Sequence, residues 1–96
     1  MSLLPIRSRA LHFLSTVEKA NVDDVMKGLE VDYGKERQFT KANFDDHMLN
    51  LHANGLIDEV SCDLDKNGKL RVYYKINNEG INTVNKYLPK KWHINS

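Results

Sequence analysis

The 96-residue chain predicts an α+β fold of three helices, a two-stranded antiparallel hairpin and a closing helix. Three observations lead there. Apolar residues recur at helical spacing up to about residue 54, the period falls to two from Glu59 to Ile76, and helical spacing returns until Leu88. Cap-forming residues stand before three of the four helical segments, at Asn21, Thr40 and Asn77. An Asn-Gly-Lys run, Asn67 to Lys69, separates the two alternating stretches.

Pro5 suits a helix's first turn, and Ile6, Ala10, Leu11, Leu14 and Val17 share one stripe, which predicts a first helix of about thirteen residues. A second, short helix follows the Asn21 cap. Asp23 and Asp24 sit in its first turn, where the helix dipole favours negative charge, Val22, Val25, Met26 and Leu29 are its apolar side, and it ends near Gly28 to Glu30. Residues 30 to 39 have no helical period and read as a loop. Thr40 caps a third helix from Lys41 to about Asn54, with Phe44, Met48 and Leu51 on one face. Asn54 and Gly55 supply a left-handed end for it. Leu49 falls opposite the Phe44 stripe and either packs under the loop near Tyr33 or Phe39 or meets a partner. The final helix starts from Asn77, carries Glu79 in its first turn, turns Ile81, Val84 and Leu88 inward, and stops at Pro89.

The hairpin contains a stretch, CDLDKNGKLRVYY, that begins like a calcium loop, with Asp63, Asp65 and Asn67 alternating before Gly68. Such a loop needs an oxygen ligand or its water at position 9 and a bidentate Glu at 12. Those positions hold Arg71 and Tyr74, and a strand follows where a helix is needed. Charge selects the strand register instead. A two-residue Asn67-Gly68 turn sets Leu64 against Arg71 and Val60 against Lys75. A three-residue loop, Lys66 to Gly68 with Gly68 left-handed, pairs Leu64 with Leu70, Cys62 with Val72 and Val60 with Tyr74. On its other face Asp65 meets Lys69, Asp63 meets Arg71 and Glu59 meets Lys75, at roughly 0.2 to 1 kcal/mol per favourable pair.

Fourteen Lys and Arg against thirteen Asp and Glu give a net charge of +1, so the overall field names no partner. The distribution is uneven: residues 1 to 60 carry seven basic and ten acidic side chains, and residues 61 to 96 carry seven and three, which makes the C-terminal third the better face for an anion. Cys62 alone allows no intrachain disulfide and fits a reducing, cytoplasmic setting. No apolar run reaches membrane-spanning length, and the opening MSLLPIRSRALHFL has no cleavage site. There are no internal repeats. Residues 1 to 89 read as one domain, followed by a short basic and aromatic tail, residues 90 to 96.

The order of elements, with FDDHMLNLHANGLIDEV leading into the hairpin and YYKINNEGINTVNKYL leading out, resembles the winged helix-turn-helix superfamily of DNA-binding domains. Met48, Leu51, Gly55, Leu56 and Ile57 match its Leu-x-x-Leu-x-x-x-Gly-Leu-Ile pattern, with Met for the first Leu. Tyr74, Ile76, Asn77, Glu79 and Gly80 fit its exit from the wing. The likeness spans about Ile6 to Leu88. It implies a three-helix core, a hairpin wing and a C-terminal helix, with the third helix in the major groove and the wing on the flanking backbone. Its DNA-binding positions fall here on Lys41, Asn43, His47 and Asn50 and, at the wing tip, on Lys66, Asn67 and Lys69. Lys90, Lys91 and Trp92 in the tail can track phosphates, or Trp92 can pack on the domain or across a dimer. Two departures are the long loop at 30 to 39 and the acidic pair Asp45 and Asp46, which also suits a helix N-terminus.

The implied function is a small sequence-specific DNA-binding transcriptional regulator acting as a homodimer on double-stranded DNA. The alternative is a winged-helix module for protein–protein interaction. Nothing points to an enzyme: His47 and His52 are five apart, Cys62 has no partner at metal spacing, and neither a catalytic constellation nor a metal or cofactor motif stands out.

Overall fold

A computed structural model describes residues 4–94; residues 1–3, and residues 95–96 of the tail, lie outside it. Four helices and one antiparallel hairpin follow in the expected order: α1 (Ile6–Leu14), α2 (Val22–Tyr33), α3 (Lys41–Ala53), β1 (Ile57–Leu64), β2 (Leu70–Ile76) and α4 (Asn78–Tyr87), then a single 3-10 turn at Lys90–Trp92. None of these helices is long and apolar enough to cross a membrane.

The caps form where the sequence places them. The Asn21 side chain accepts from the Asp24 backbone N–H at 2.8 Å while the Asp24 carboxylate accepts from the Asn21 N–H at 3.1 Å, a complete capping box. Thr40 and Asn77 cap α3 and α4 through the N–H groups of Asn43 and Gly80. At the end of α3, Gly55 is left-handed (φ 76°), its N–H reaches the His52 carbonyl and the Leu56 N–H reaches that of Leu51. That double closure satisfies two orphan carbonyls and turns the chain into β1.

Two helix lengths differ from expectation. α1 stops at Leu14, where the Ser15 and Thr16 N–H groups bond back three residues and tighten the last turn. α2 continues through Gly28 to Tyr33, because Val25, Leu29 and Tyr33 each bury at four-residue spacing and the Tyr33 hydroxyl donates to the Leu4 carbonyl at 2.7 Å. Burial of that stripe outweighs the roughly 1 kcal/mol that an interior glycine costs a helix. The loop expected over residues 30 to 39 is therefore a shorter turn from Gly34 to Thr40.

The core joins α1, α2 and α3 to the foot of the hairpin: Leu11, Leu14, Leu29, Phe44, Met48, Ile57 and Val84 are all nearly inaccessible. Gly80 brings α4 against this foot. A β-carbon there would stand 2.3 Å from the Leu56 carbonyl oxygen, so only glycine allows the approach.

Near the loop the three-residue register holds, with Leu64 opposite Leu70, Asp63 opposite Arg71 and Cys62 opposite Val72. Gly68 is left-handed (φ 79°) and its N–H closes on the Asp65 carbonyl. Beyond Ser61 the register slips. Val60 bulges out, so Glu59 faces Tyr74 and Asp58 faces Lys75, in place of the expected Val60–Tyr74 and Glu59–Lys75 pairs. The extra residue sets Ile57 opposite Ile76, which brings two apolar side chains to the same face at the foot; unbroken pairing would have put Asp58 opposite Ile76. β2 also gains a second neighbour that the sequence pattern did not announce: the N–H and C=O of Tyr74 exchange hydrogen bonds with Ala20 at 2.9 and 3.0 Å.

Candidate functional site

The first residue of α3 and the tip of the hairpin face each other across an open cleft of about 610 Å³. Lys41, Lys66, Lys69 and Arg71 line it, with Asp23 and Asp65 among them. Each cation has a different local history. The Arg71 guanidinium makes a two-pronged pair with Asp63, Nε to Oδ1 at 2.8 Å and Nη2 to Oδ2 at 3.0 Å, and the Tyr73 hydroxyl joins the same carboxylate at 3.1 Å. Arg71's hydrogen bond, helped by Tyr73, holds the Asp63 carboxyl below its usual range. The pair raises the guanidinium's own pKa in turn.

Asp65 does not reach the Lys69 ammonium, as the register by charge had suggested. Its Oδ1 accepts from the backbone N–H groups of Asn67 (2.8 Å) and Lys69 (2.9 Å), which closes the loop and lowers its pKa, Lys69 N–H first. The Lys66 and Lys69 ammonium groups make no ion pair or hydrogen bond among the described residues, and both side chains are exposed.

Lys41 projects from the start of α3 and donates to Asp23 Oδ1 at 2.9 Å, an ion pair between α3 and the first turn of α2. That hydrogen bond is the main reason its pKa rises; the Asp45 and Asp65 carboxylates add to it. Asp23 is the member of the site that sequence reasoning missed. Its place in the first turn of α2 signals only the helix dipole, and the packing of α2 beside α3 brings it to Lys41.

The remaining α3 candidates divide. Asn43 and His47, expected to face outward, are half-buried. The Asn43 side-chain amide donates to the Gln38 carbonyl at 2.9 Å and steadies the α2–α3 turn. His47 lies against Phe44, and its Nδ1 accepts from Arg7 Nε at 3.3 Å. Burial, with Arg7 adding, lowers its pKa and favours the neutral ring. Asn50 is exposed and its side-chain oxygen accepts from Asn54. Besides Lys41, Asn50 and His52, α3 exposes Ala42, Asp45, Asp46, Leu49 and Ala53, one stripe at helical spacing. Leu49 is 57% exposed, so it packs under neither Tyr33 nor Phe39.

The tail residues lie elsewhere. Trp92 packs edge-on against His12 of α1 (4.9 Å between centroids) and under the Arg9 guanidinium (5.2 Å), while Lys90 and Lys91 stay exposed. Ile94 is tied to the Asn85 side chain by its N–H and C=O. No cluster of three or more potential metal ligands occurs among the described residues.

No family model, curated protein or solved structure significantly matches the chain.

Proposed function

We propose that the chain is a winged-helix transcriptional regulator that binds double-stranded DNA. The observation that carries this reading is the convergence of Lys41, Lys66, Lys69 and Arg71 on one cleft between the hairpin tip and the start of α3. Cations from a helix and a hairpin that flank one open channel suit a phosphate backbone, which supplies most of the affinity of such complexes. The element order, with a helix pair ahead of a hairpin, is compatible with the winged-helix layout.

In this reading the exposed side of α3 enters the major groove, with Lys41 at its start on the backbone and uncharged or acidic residues on the bases. Asp45 and Asp46 can accept from cytosine amino groups, Asn50 can pair with adenine, and Ala42 and Leu49 can meet thymine methyls. So few base contacts per copy call for two copies on paired half-sites, and the expected mass in solution is that of a dimer.

Fluorescence anisotropy with a random duplex between 50 and 200 mM salt tests the proposal. Affinity should fall steeply with salt, and replacing Lys66 and Lys69 with Glu should weaken binding by about tenfold or more and flatten the salt dependence by about two phosphate contacts. Binding that ignores salt, or no binding at 50 mM, would count against it.

One observation favours a second reading. Leu49 stands exposed one turn from Asp45 and Asp46 on the α3 ridge, a combination that also fits the surface of another protein. Loss of DNA binding in the titration would leave that ridge as the interaction site.

A further inference from the structure

We propose that Asp23 is an internal competitor for Lys41, so that duplex binding exchanges the Asp23 carboxylate for a DNA phosphate. This inference rests on the DNA reading above and adds the residue that sets affinity and salt dependence at that site.

The geometry singles Asp23 out among the carboxylates that surround Lys41. Asp65 is engaged by two backbone N–H groups of its own loop. Asp45 stands one turn along α3 and acts on the ammonium without a hydrogen bond to it. Asp23 alone, among the described residues, makes the contact, at 2.9 Å. It is also dispensable for the cap of α2, which Asn21 and Asp24 complete between them. Its carboxylate thus sits where a phosphate oxygen would, with the same charge sign and the same acceptor chemistry.

The pair is built to exchange. Lys41 and Asp23 side chains are 55% and 61% exposed, and an ion pair so open to water is weak and screened by salt. Any duplex entering the cleft must take Lys41 from Asp23 and then tolerate that carboxylate beside its backbone. A duplex whose bases fit the α3 ridge compensates for this; one that offers phosphates alone does not. Asp23 therefore lowers the affinity for every duplex by a similar factor, and base contacts decide which duplexes still bind.

Anisotropy titrations of a random-sequence duplex against the full chain, Asp23→Asn, Lys41→Met and the double variant, from 50 to 200 mM salt, test the exchange. Asp23→Asn should bind on the order of fivefold more tightly than the unaltered chain, with a salt slope steeper by about one phosphate contact. In the Lys41→Met background the same substitution should change affinity less than about twofold, since a coupled pair gives non-additive effects. Equal tightening in both backgrounds means long-range charge alone and overturns the exchange. Unchanged affinity in Asp23→Asn, with the unaltered chain binding DNA, overturns the exchange and leaves the DNA reading standing. A duplex ignored by both proteins overturns both. Thermal unfolding of Asp23→Asn checks that the intact capping box keeps the fold.

Discussion

The foot and the tip of the hairpin are two ends of one ribbon held by different physics. At the foot, Ile57 and Tyr74 are 1% and 6% exposed, Tyr74 has β1 on one side and exchanges both backbone hydrogen bonds with Ala20 on the other, and Gly80 lets α4 close over the end. At the tip, Leu64 and Leu70 form an apolar cross-strand pair that is 63% and 64% exposed, and order comes from the Asp63–Arg71 pair and the Asp65 loop bonds. Burial anchors one end, and polar contacts shape the other. The difference matters for function, because the end that carries the cations is the end whose conformation does not depend on the core.

The largest expected effect separates the two ends directly. Ile57→Ala should destabilise the protein by about 2–5 kcal/mol in urea unfolding, since it leaves a cavity in the core, whereas Leu70→Ala should stay within about 0.5 kcal/mol. Equal costs would abolish the distinction. Gly80→Ala should cost about 1–3 kcal/mol, because its β-carbon meets the backbone oxygen of Leu56, which cannot swing aside as a side chain can. Gly68→Ala meets no atom within 4 Å and should cost only about 1–2 kcal/mol, from the left-handed backbone alone. Amide exchange in that variant should rise at Lys66 to Lys69 and stay unchanged at Tyr74.

Acid should divide the molecule in the same way with the smallest effect on the tip. His12 and His47 are both held below the usual imidazole value of 6.5 by burial, with Arg9 and Arg7 adding. The unfolded chain therefore binds more protons, and the helical body should lose stability as pH falls below about 6.5 through the folded values. Asp63 and Asp65 are depressed below 3.8, by Arg71 and by the Lys69 N–H respectively. Their contribution is present above 3.8 and is lost only as pH falls through their lower folded values. Carboxyl and imidazole NMR titrations should resolve two windows; loss of the loop bonds near pH 6 would contradict this.

The legibility of the fold follows the same line. Asn21, Thr40, Asn77, Gly55 and Gly68 were readable because each acts within four or five residues of chain. Leu64–Leu70 and Asp63–Arg71 were readable because the loop fixes the register next to it. The register failed at Val60, four residues further on, where what decides it is the demand that Ile57 and Ile76 share the buried face. The candidate site was half legible. Lys66 and Lys69 could be placed on a tip by sequence alone, whereas His47 could not be known to meet Arg7 across forty positions of chain, nor Lys41 to meet Asp23 across eighteen.

By itself, then, the sequence determined where helices start, where the third one ends, how the hairpin turns and which cations lie on its loop. These are outcomes of local hydrogen bonding, backbone preference and alternation. The tertiary structure alone decided that α2 runs on to Tyr33, that Ala20 borders β2, that α3 turns Leu49 to water and half-buries Asn43 and His47, and that Asp23 occupies the Lys41 ammonium. Each of those depends on which surfaces of distant segments are buried against one another, a property that no short window of residues contains.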